Sequence, residues 1–376
     1  MVSFGTTIFA EMSALAQATG AINLGQGFPD TDGPPEVLAA AVAAIEGGRN
    51  QYPPGPGTPE LLEAIAEHQR RFYGVELDPR SEILVTVGAT EAIAATIMAL
   101  CAPGDEVVTF EPYYDSYAAT IALAGATRRT SVLRFPDFAV DEGSLRAAFS
   151  DRTRVVLVNT PHNPTGKVFS RAELELVAAL AREHDAWVVT DEVYEHLTFG
   201  PAHIPMSTLP RMAERTLTIS SGGKTFSTTG WKVGWVSGPA DAIAAIRGVK
   251  QFLTYVGSGP FQPAIAHGLG LPDDRYAALA SSLRAKRDLL VDGLRSAGLE
   301  VSVPDGTYFV VADVASLGVS DALAFCRDLP HRAGVVAIPV SVFHDDVEAG
   351  ARLIRFAFCK RDDVLREAVT RLGRLR

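Results

Sequence analysis

The sequence predicts an α/β fold: a mostly parallel sheet between layers of helix, with a smaller α+β lobe after it. Three observations carry this expectation. The chain has 376 residues, more than one typical domain. From residue 83 to residue 237, short β-rich runs alternate with helical periods, the pattern that builds a parallel sheet covered on both faces. After Pro272 the alternation gives way to a long helical stretch followed by isolated strands.

Taken in order, the first thirty-odd residues are too few to fold alone, so they should pack on the second lobe or on another subunit. The strand candidates of the first lobe are 83–87, 107–110, 154–159, 187–191, 216–220 and 234–237, rich in β-branched and aromatic residues. Helices are expected at 90–100, 114–124 and 171–183. The last opens on Ser170 with Glu173 three residues on, the spacing of a reciprocal cap. Ligands of such a sheet belong at the C-terminal ends of its strands. The second lobe should hold a helix over 274–297, strands at 308–312 and 353–357, and a closing helix from Asp362. The expected division is an N-terminal arm 1–32, a large domain 33–272 and a small domain 273–376, without internal repeats.

Composition excludes several classes. With 47% hydrophobic and 21% charged residues and no low-complexity tract, the chain reads as globular rather than disordered. A net charge of −10 without a Lys/Arg run argues against nucleic acid. The first basic residue is Arg49, and apolar runs such as 92–102 are too short to span a bilayer, so a cytoplasmic protein without membrane contact is expected. Cys101, Cys326 and Cys359 are odd in number and far apart, which suits structural reduced thiols better than disulfides or a zinc site, and no metal is expected.

The chemistry-bearing residues lie at the strand ends. Six lysines stand against 28 arginines, yet Lys224 and Lys232 share one run, 220–235, rich in Gly, Ser, Thr and aromatics. Lysine forms Schiff bases, and desolvation makes it nucleophilic; two exposed loop lysines are the bland alternative. Gly223-Lys224-Thr225 looks like the tail of a P-loop, but Thr218 stands where the first glycine must be. Gly25-Gln26-Gly27 fails the dinucleotide fingerprint, with Asp30 in place of the third glycine. Asp191 ends an apolar strand at the sheet's rim, where a carboxylate can hold a heterocyclic nitrogen protonated and Tyr194 can reach a neighbouring oxygen; a helix cap is the alternative. Residues 159–166, Asn-Thr-Pro-His-Asn-Pro-Thr-Gly, force a sharp bend, and Pro164 restricts Asn163 to extended backbone. His162 reads as a turn histidine. Gly88-Ala89-Thr90 opens a helix whose first N–H groups suit a phosphate. Tyr113, Tyr114 and Tyr117 offer a face for a flat ring, or simply pack in the core. Arg355 lies in an apolar strand, where a guanidinium needs an anionic partner, either a ligand carboxylate or a structural ion pair.

In this order these motifs resemble the class I/II aminotransferases, fold-type I enzymes dependent on pyridoxal 5'-phosphate, over residues 22–360. The resemblance is greatest to the branch of kynurenine, glutamine and methionine aminotransferases, through 23–30 (Asn-Leu-Gly-Gln-Gly-Phe-Pro-Asp), 51–53, 160–167, 191–196 and 223–235. Residues 53–57 and 358–363 look similar to actinobacterial proteins described as N-succinyldiaminopimelate aminotransferases. The resemblance implies ping-pong amino transfer between an L-amino acid and a 2-oxo acid, in a homodimer with shared active sites. It makes Lys224 the Schiff-base lysine, Asp191 the partner of the pyridine nitrogen, and Tyr194 and Asn163 the partners of the phenolic oxygen. Lys224, Asp191 and Tyr194 would be catalytic. Tyr114 would stack on the ring, with Asn159 near it. Gly88, Ala89, Thr90, Ser221 and Lys232 would surround the phosphate, and Tyr52 would reach the phosphate of the other protomer's site. Gly27, Asn163 and Arg355 would hold the substrate, Arg355 by its α-carboxylate.

Lys232 stands where many of these enzymes have arginine, and residues 2–9 lack the tryptophan with which the animal kynurenine enzymes cover aromatic substrates. The matched motifs supply no second arginine for a distal acid. Neutral side chains such as methionine, glutamine or aromatics, kynurenine included, are therefore the expected substrates. The alternatives are N-succinyldiaminopimelate, whose distal acid would need another cation, and β-elimination from cysteine conjugates at the same site. A non-catalytic sensor on this fold is disfavoured because every matched catalytic position is filled.

Overall fold

The computed structural model describes residues 7–375, so the first six residues of the expected arm, and Arg376, lie outside the described residues. The strands, in chain order, are β1 (Ile22–Asn23), β2 (Ile83–Val87), β3 (Glu106–Glu111), β4 (Thr127–Val132), β5 (Thr153–Asn159), β6 (Trp187–Asp191), β7 (Thr216–Ser221), β8 (Val233–Ser237), β9 (Glu300–Ser302), β10 (Phe309–Asp313), β11 (Val335–Val336), β12 (Ile338–Pro339) and β13 (Leu353–Ala357). A seven-stranded sheet has the order β2-β8-β7-β6-β5-β3-β4, parallel throughout except that β8 runs against both of its neighbours.

The central strands are buried on both faces, so they read as near-continuous apolar runs. Their side chains still alternate: Val155 and Leu157 of β5 enter one core cluster, Val156 and Val158 the other. Helices Gly88–Leu100, Asp115–Leu123 and Ala240–Lys250 pack together over the first cluster. Arg171–Glu183 packs on the second, and its expected reciprocal cap is present, with Ser170 and Glu173 each accepting from the other's backbone N–H. The unforeseen edge strand is β4. Its sequence, Thr-Arg-Arg-Thr-Ser-Val, is polar and largely solvated, which protects a sheet edge and removes the apolar pattern by which strands are recognised.

The C-terminal part builds an antiparallel sheet of order β12-β13-β10-β9, backed by the helices Asp273–Ser296 and Asp362–Leu372. Helix Ile8–Thr19, capped by the Thr7 hydroxyl, packs on helix Ala322–Ala333, and β1 pairs in parallel with β11. The described part of the N-terminal segment thus lies on this second lobe. Leu24 continues the pairing by donating to the Val336 carbonyl at 3.1 Å, and its own carbonyl accepts from Ala357 N at 2.6 Å, which carries Gly25–Gly27 alongside β13. All three cysteines are free. Among the described residues no helix is long and apolar enough to cross a membrane.

Candidate active site

Strands β5, β6 and β7 end side by side, and with the segments that follow β2 and β3 they wall a cavity of about 290 Å³. The small lobe closes it with β13 and the Gly27 segment. Gly27, Gly88, Ala89, Thr90 and Tyr114 line this cavity, as do Asn159, Asn163, Asp191, Tyr194, Ser221, Lys224, Lys232 and Arg355. Tyr52 does not: it is 82% exposed on the outer surface, edge-on to Tyr255 with ring centroids 5.7 Å apart.

Lys224 sits in the single helical turn Gly222–Thr225, directly after β7. A Cβ on Gly222 would come within 2.6 Å of Ile265, so only glycine lets this turn pack so closely. Lys224 Nζ donates to the Tyr308 hydroxyl at 3.1 Å, and that hydroxyl donates to the Gly27 carbonyl at 2.7 Å. Burial pushes the Lys224 ammonium down to about 8, with the Lys232 and Arg355 charges acting in the same sense and Cys359 and Asp191 opposing. Asp191 ends β6. Burial raises its carboxyl to about 6, although the Tyr117 hydroxyl donates to Oδ2 at 2.6 Å and favours the ionised form. A carboxylate held so dry gains most from a cationic partner.

Asn159, at the end of β5, donates to the Asp191 carbonyl at 2.8 Å and accepts from Asn163 N at 2.7 Å, which fixes the bend after the strand. Asn163 Oδ1 accepts from Arg355 Nη1 at 2.9 Å, and Arg355 Nη2 donates to the Gly25 carbonyl at 2.9 Å. The guanidinium lies 4.1 Å from the Phe309 ring centroid. Its Nε has no partner, and no acidic side chain pairs with it among the described residues. Burial pushes Arg355 down to about 10. The structural ion pair considered for it is therefore not what the fold provides: both Nη atoms meet neutral acceptors, and the charge is left for a ligand carboxylate to match. His162 is a buried turn histidine, bonded to the Thr165 hydroxyl at 2.8 Å and pushed down to about 3 by burial.

At the other end of the cavity, sheet register sets Ser221, Gly234 and Thr86 abreast on β7, β8 and β2. A Cβ on Gly234 would lie 2.6 Å from the Gly88 carbonyl carbon and 2.7 Å from Ala89 N, and one on Gly88, where φ is +73°, would lie 3.1 Å from Lys232 Nζ. These two glycines leave a cradle of helix-start N–H groups and an ammonium, a donor set suited to a dianion, with the Ser221 hydroxyl beside it donating to the Val233 carbonyl at 3.2 Å. Tyr114 stands edge-on to Tyr117, and burial pushes its hydroxyl up to about 12; burial also raises that of Tyr194, edge-on to Tyr308.

Sequence reasoning missed Tyr308 and Phe309, and it gave Tyr117 no partner. Each reads as an ordinary core aromatic, and only the fold sets it against Lys224, Arg355 or Asp191. Elsewhere His68, Glu195 and His196 bring ligand atoms within 4.8 Å of one another. The 2.6 Å between the two Nε2 atoms is a hydrogen bond, since two imidazole nitrogens on one zinc ion would stand roughly 3.3 Å apart.

The family described as aminotransferase class I and II matches residues 19–372. A Mycobacterium tuberculosis protein named probable N-succinyldiaminopimelate aminotransferase DapC is 53% identical over 382 residues, covering 98% of this chain and 96% of the relative. A solved structure of N-succinyldiaminopimelate aminotransferase from the same organism superposes with a TM-score of 0.97, covering 100% of this chain and 98% of that one at 53% identity. Methionine aminotransferase of Escherichia coli K12 is 44% identical over 99% of this chain and 96% of its own. With Lys224, Asp191 and Arg355 converging on one cavity beside an anion cradle, and with these similarities over nearly its whole length, the chain belongs to the class I/II aminotransferases, fold-type I enzymes that use pyridoxal 5'-phosphate.

Proposed function

We propose that this aminotransferase acts on N-succinyldiaminopimelate, as a cytoplasmic homodimer in which Tyr52 serves the other protomer's site. The supporting observation is the 53% identity over 98% of the chain to the protein named for that substrate, against 44% to the methionine enzyme. It outweighs the expectation of neutral side chains, which rested on motifs that supply a single arginine. The three free cysteines suit a reducing compartment. The arm 1–32, the large domain 33–272 and the small domain 273–376 are the division proposed with it.

The residues present fit the cofactor. Ala89 and Thr90 N–H, Ser221 Oγ and Lys232 Nζ would hold the phosphate in the cradle that Gly88 and Gly234 leave open. Tyr114 would cover the ring, Asp191 would keep a proton on the pyridine nitrogen, and Tyr194 and Asn163 would hold the phenolic oxygen. Pyridoxal phosphate, when bound, supplies an electron sink conjugated with the substrate Cα. Lys224 Nζ, brought to about 8 by burial, is the amine that would carry the group and, once displaced, would move the proton at the substrate Cα. Arg355 would bind the α-carboxylate, and its bond to Asn163 ties substrate orientation to the ring.

Steady-state kcat/KM for N-succinyldiaminopimelate, methionine, glutamine and kynurenine tests this reading. The succinylated substrate should lead by at least about tenfold, or roughly 1.4 kcal/mol of transition-state binding. A lead for methionine would restore the neutral-side-chain reading and leave amino transfer intact, and pyruvate release from a cysteine conjugate would register β-elimination at the same site.

A further inference from the structure

Helix Gly88–Leu100 forms the cradle's N–H groups and carries a single charged residue, Glu91, which is 8% exposed. Burying a carboxylate is costly unless it is paired and hydrogen-bonded. Glu91 is both: Oε2 accepts from Val87 N at 2.6 Å, just ahead of Gly88, and lies 3.8 Å from the Nζ of Lys250. Lys250 is itself 2% exposed and ends helix Ala240–Lys250. Its Nζ donates to the Tyr255 carbonyl at 2.8 Å, and the Thr254 hydroxyl donates to Glu91 Oε1.

The segment so held presents apolar side chains outward. Phe252 is 85% exposed and Tyr255, at φ +64°, is 54% exposed with Tyr52 packed on its ring. Gln262 makes a second tie: it accepts from Thr58 N at 2.8 Å and donates to the Gly257 carbonyl at 2.7 Å, fastening the Tyr52 loop to the 251–257 loop. Gly257 leaves no slack, since a Cβ there would come 2.6 Å from the Val87 side chain. The start of the cradle helix and the exposed aromatic loops are therefore tied together by hydrogen bonds and close packing.

We propose that Glu91 and Lys250 are positioning residues, a buried clamp that fixes the anion cradle of one protomer in register with the aromatic surface it presents to its partner. The inference rests on the functional reading above: the cradle retains cofactor phosphate, and the Tyr52 face is the one that pairs. Breaking the clamp weakens cofactor retention and self-association together.

The test measures two constants on each variant: the dissociation constant of pyridoxal phosphate, by titrating cofactor-free protein, and that of the dimer, by sedimentation. Lys250→Met and Glu91→Gln should each raise both constants, by about tenfold. The double variant should fall closer to wild type than the product of the singles, because neither charge is left alone. Thr254→Val removes one bond without stranding a charge, and should move both constants in the same direction by less. Thr254→Val decides the matter if the charge variants do not fold. Both constants at wild-type level, or one moved and the other not, would overturn the clamp. Failure of the wild-type protein to bind pyridoxal phosphate or to self-associate would instead overturn the functional reading.

Discussion

Lys224 and Asp191 are neighbours whose ordinary charges are both disfavoured by the dry wall they share, so each is poised nearer neutrality than in water. An amine attacks a carbonyl only when neutral. The rate at which cofactor-free protein attaches pyridoxal phosphate should therefore rise about tenfold per pH unit below about 8 and level above it. A rate still climbing at pH 10, followed by absorbance, would mean that Lys224 titrates like an exposed lysine. No acidic side chain pairs with Arg355 among the described residues, so Arg355→Ala should cost about 2–5 kcal/mol of kcat/KM by analogy with buried charged hydrogen bonds. A variant within tenfold of wild type would assign the α-carboxylate to another group. At this scale the sequence was informative about Lys224, Asp191 and Arg355, because their side-chain types are unusual where they stand. It was uninformative about Tyr117 and Tyr308, because a tyrosine beside a strand looks the same whether or not its hydroxyl meets Asp191 or Lys224.

Among the elements, the site depends on strands that end together and on glycines that let backbones approach. Gly234 is one of these, with the Gly88 and Ala89 backbone in the space of its missing side chain. Gly234→Ala should lower stability by about 1–3 kcal/mol, as overpacking does, and should weaken pyridoxal phosphate binding because the displaced atoms belong to the cradle. Thermal unfolding and cofactor titration check it; loss of stability with unchanged cofactor affinity would place the cradle elsewhere. Periodicity located the buried strands well. It left the reversed direction of β8 open, because an apolar run has no polarity until its hydrogen-bond partners are chosen, and it missed β4, whose two arginines serve the sheet edge rather than the core.

For the whole molecule, the exposed pair Tyr52 and Tyr255 lies outside the cavity of its own chain. Mixed dimers of Tyr52→Phe and Lys224→Ala protomers should therefore regain one site free of both lesions, seen as activity above the sum of the two parents. Activity at or below that sum would show each site to be built from one chain. Composition and periodicity say nothing of a partner for Tyr52; the expectation for it comes only from the motif resemblance through 51–53.

Whether Lys224 carries the cofactor is tested most directly by borohydride reduction of the loaded enzyme followed by peptide mass spectrometry. A pyridoxyl group confined to the peptide containing Lys224, and absent after Lys224→Ala, is the predicted result; the group on any other lysine, or its persistence in that variant, would contradict the account.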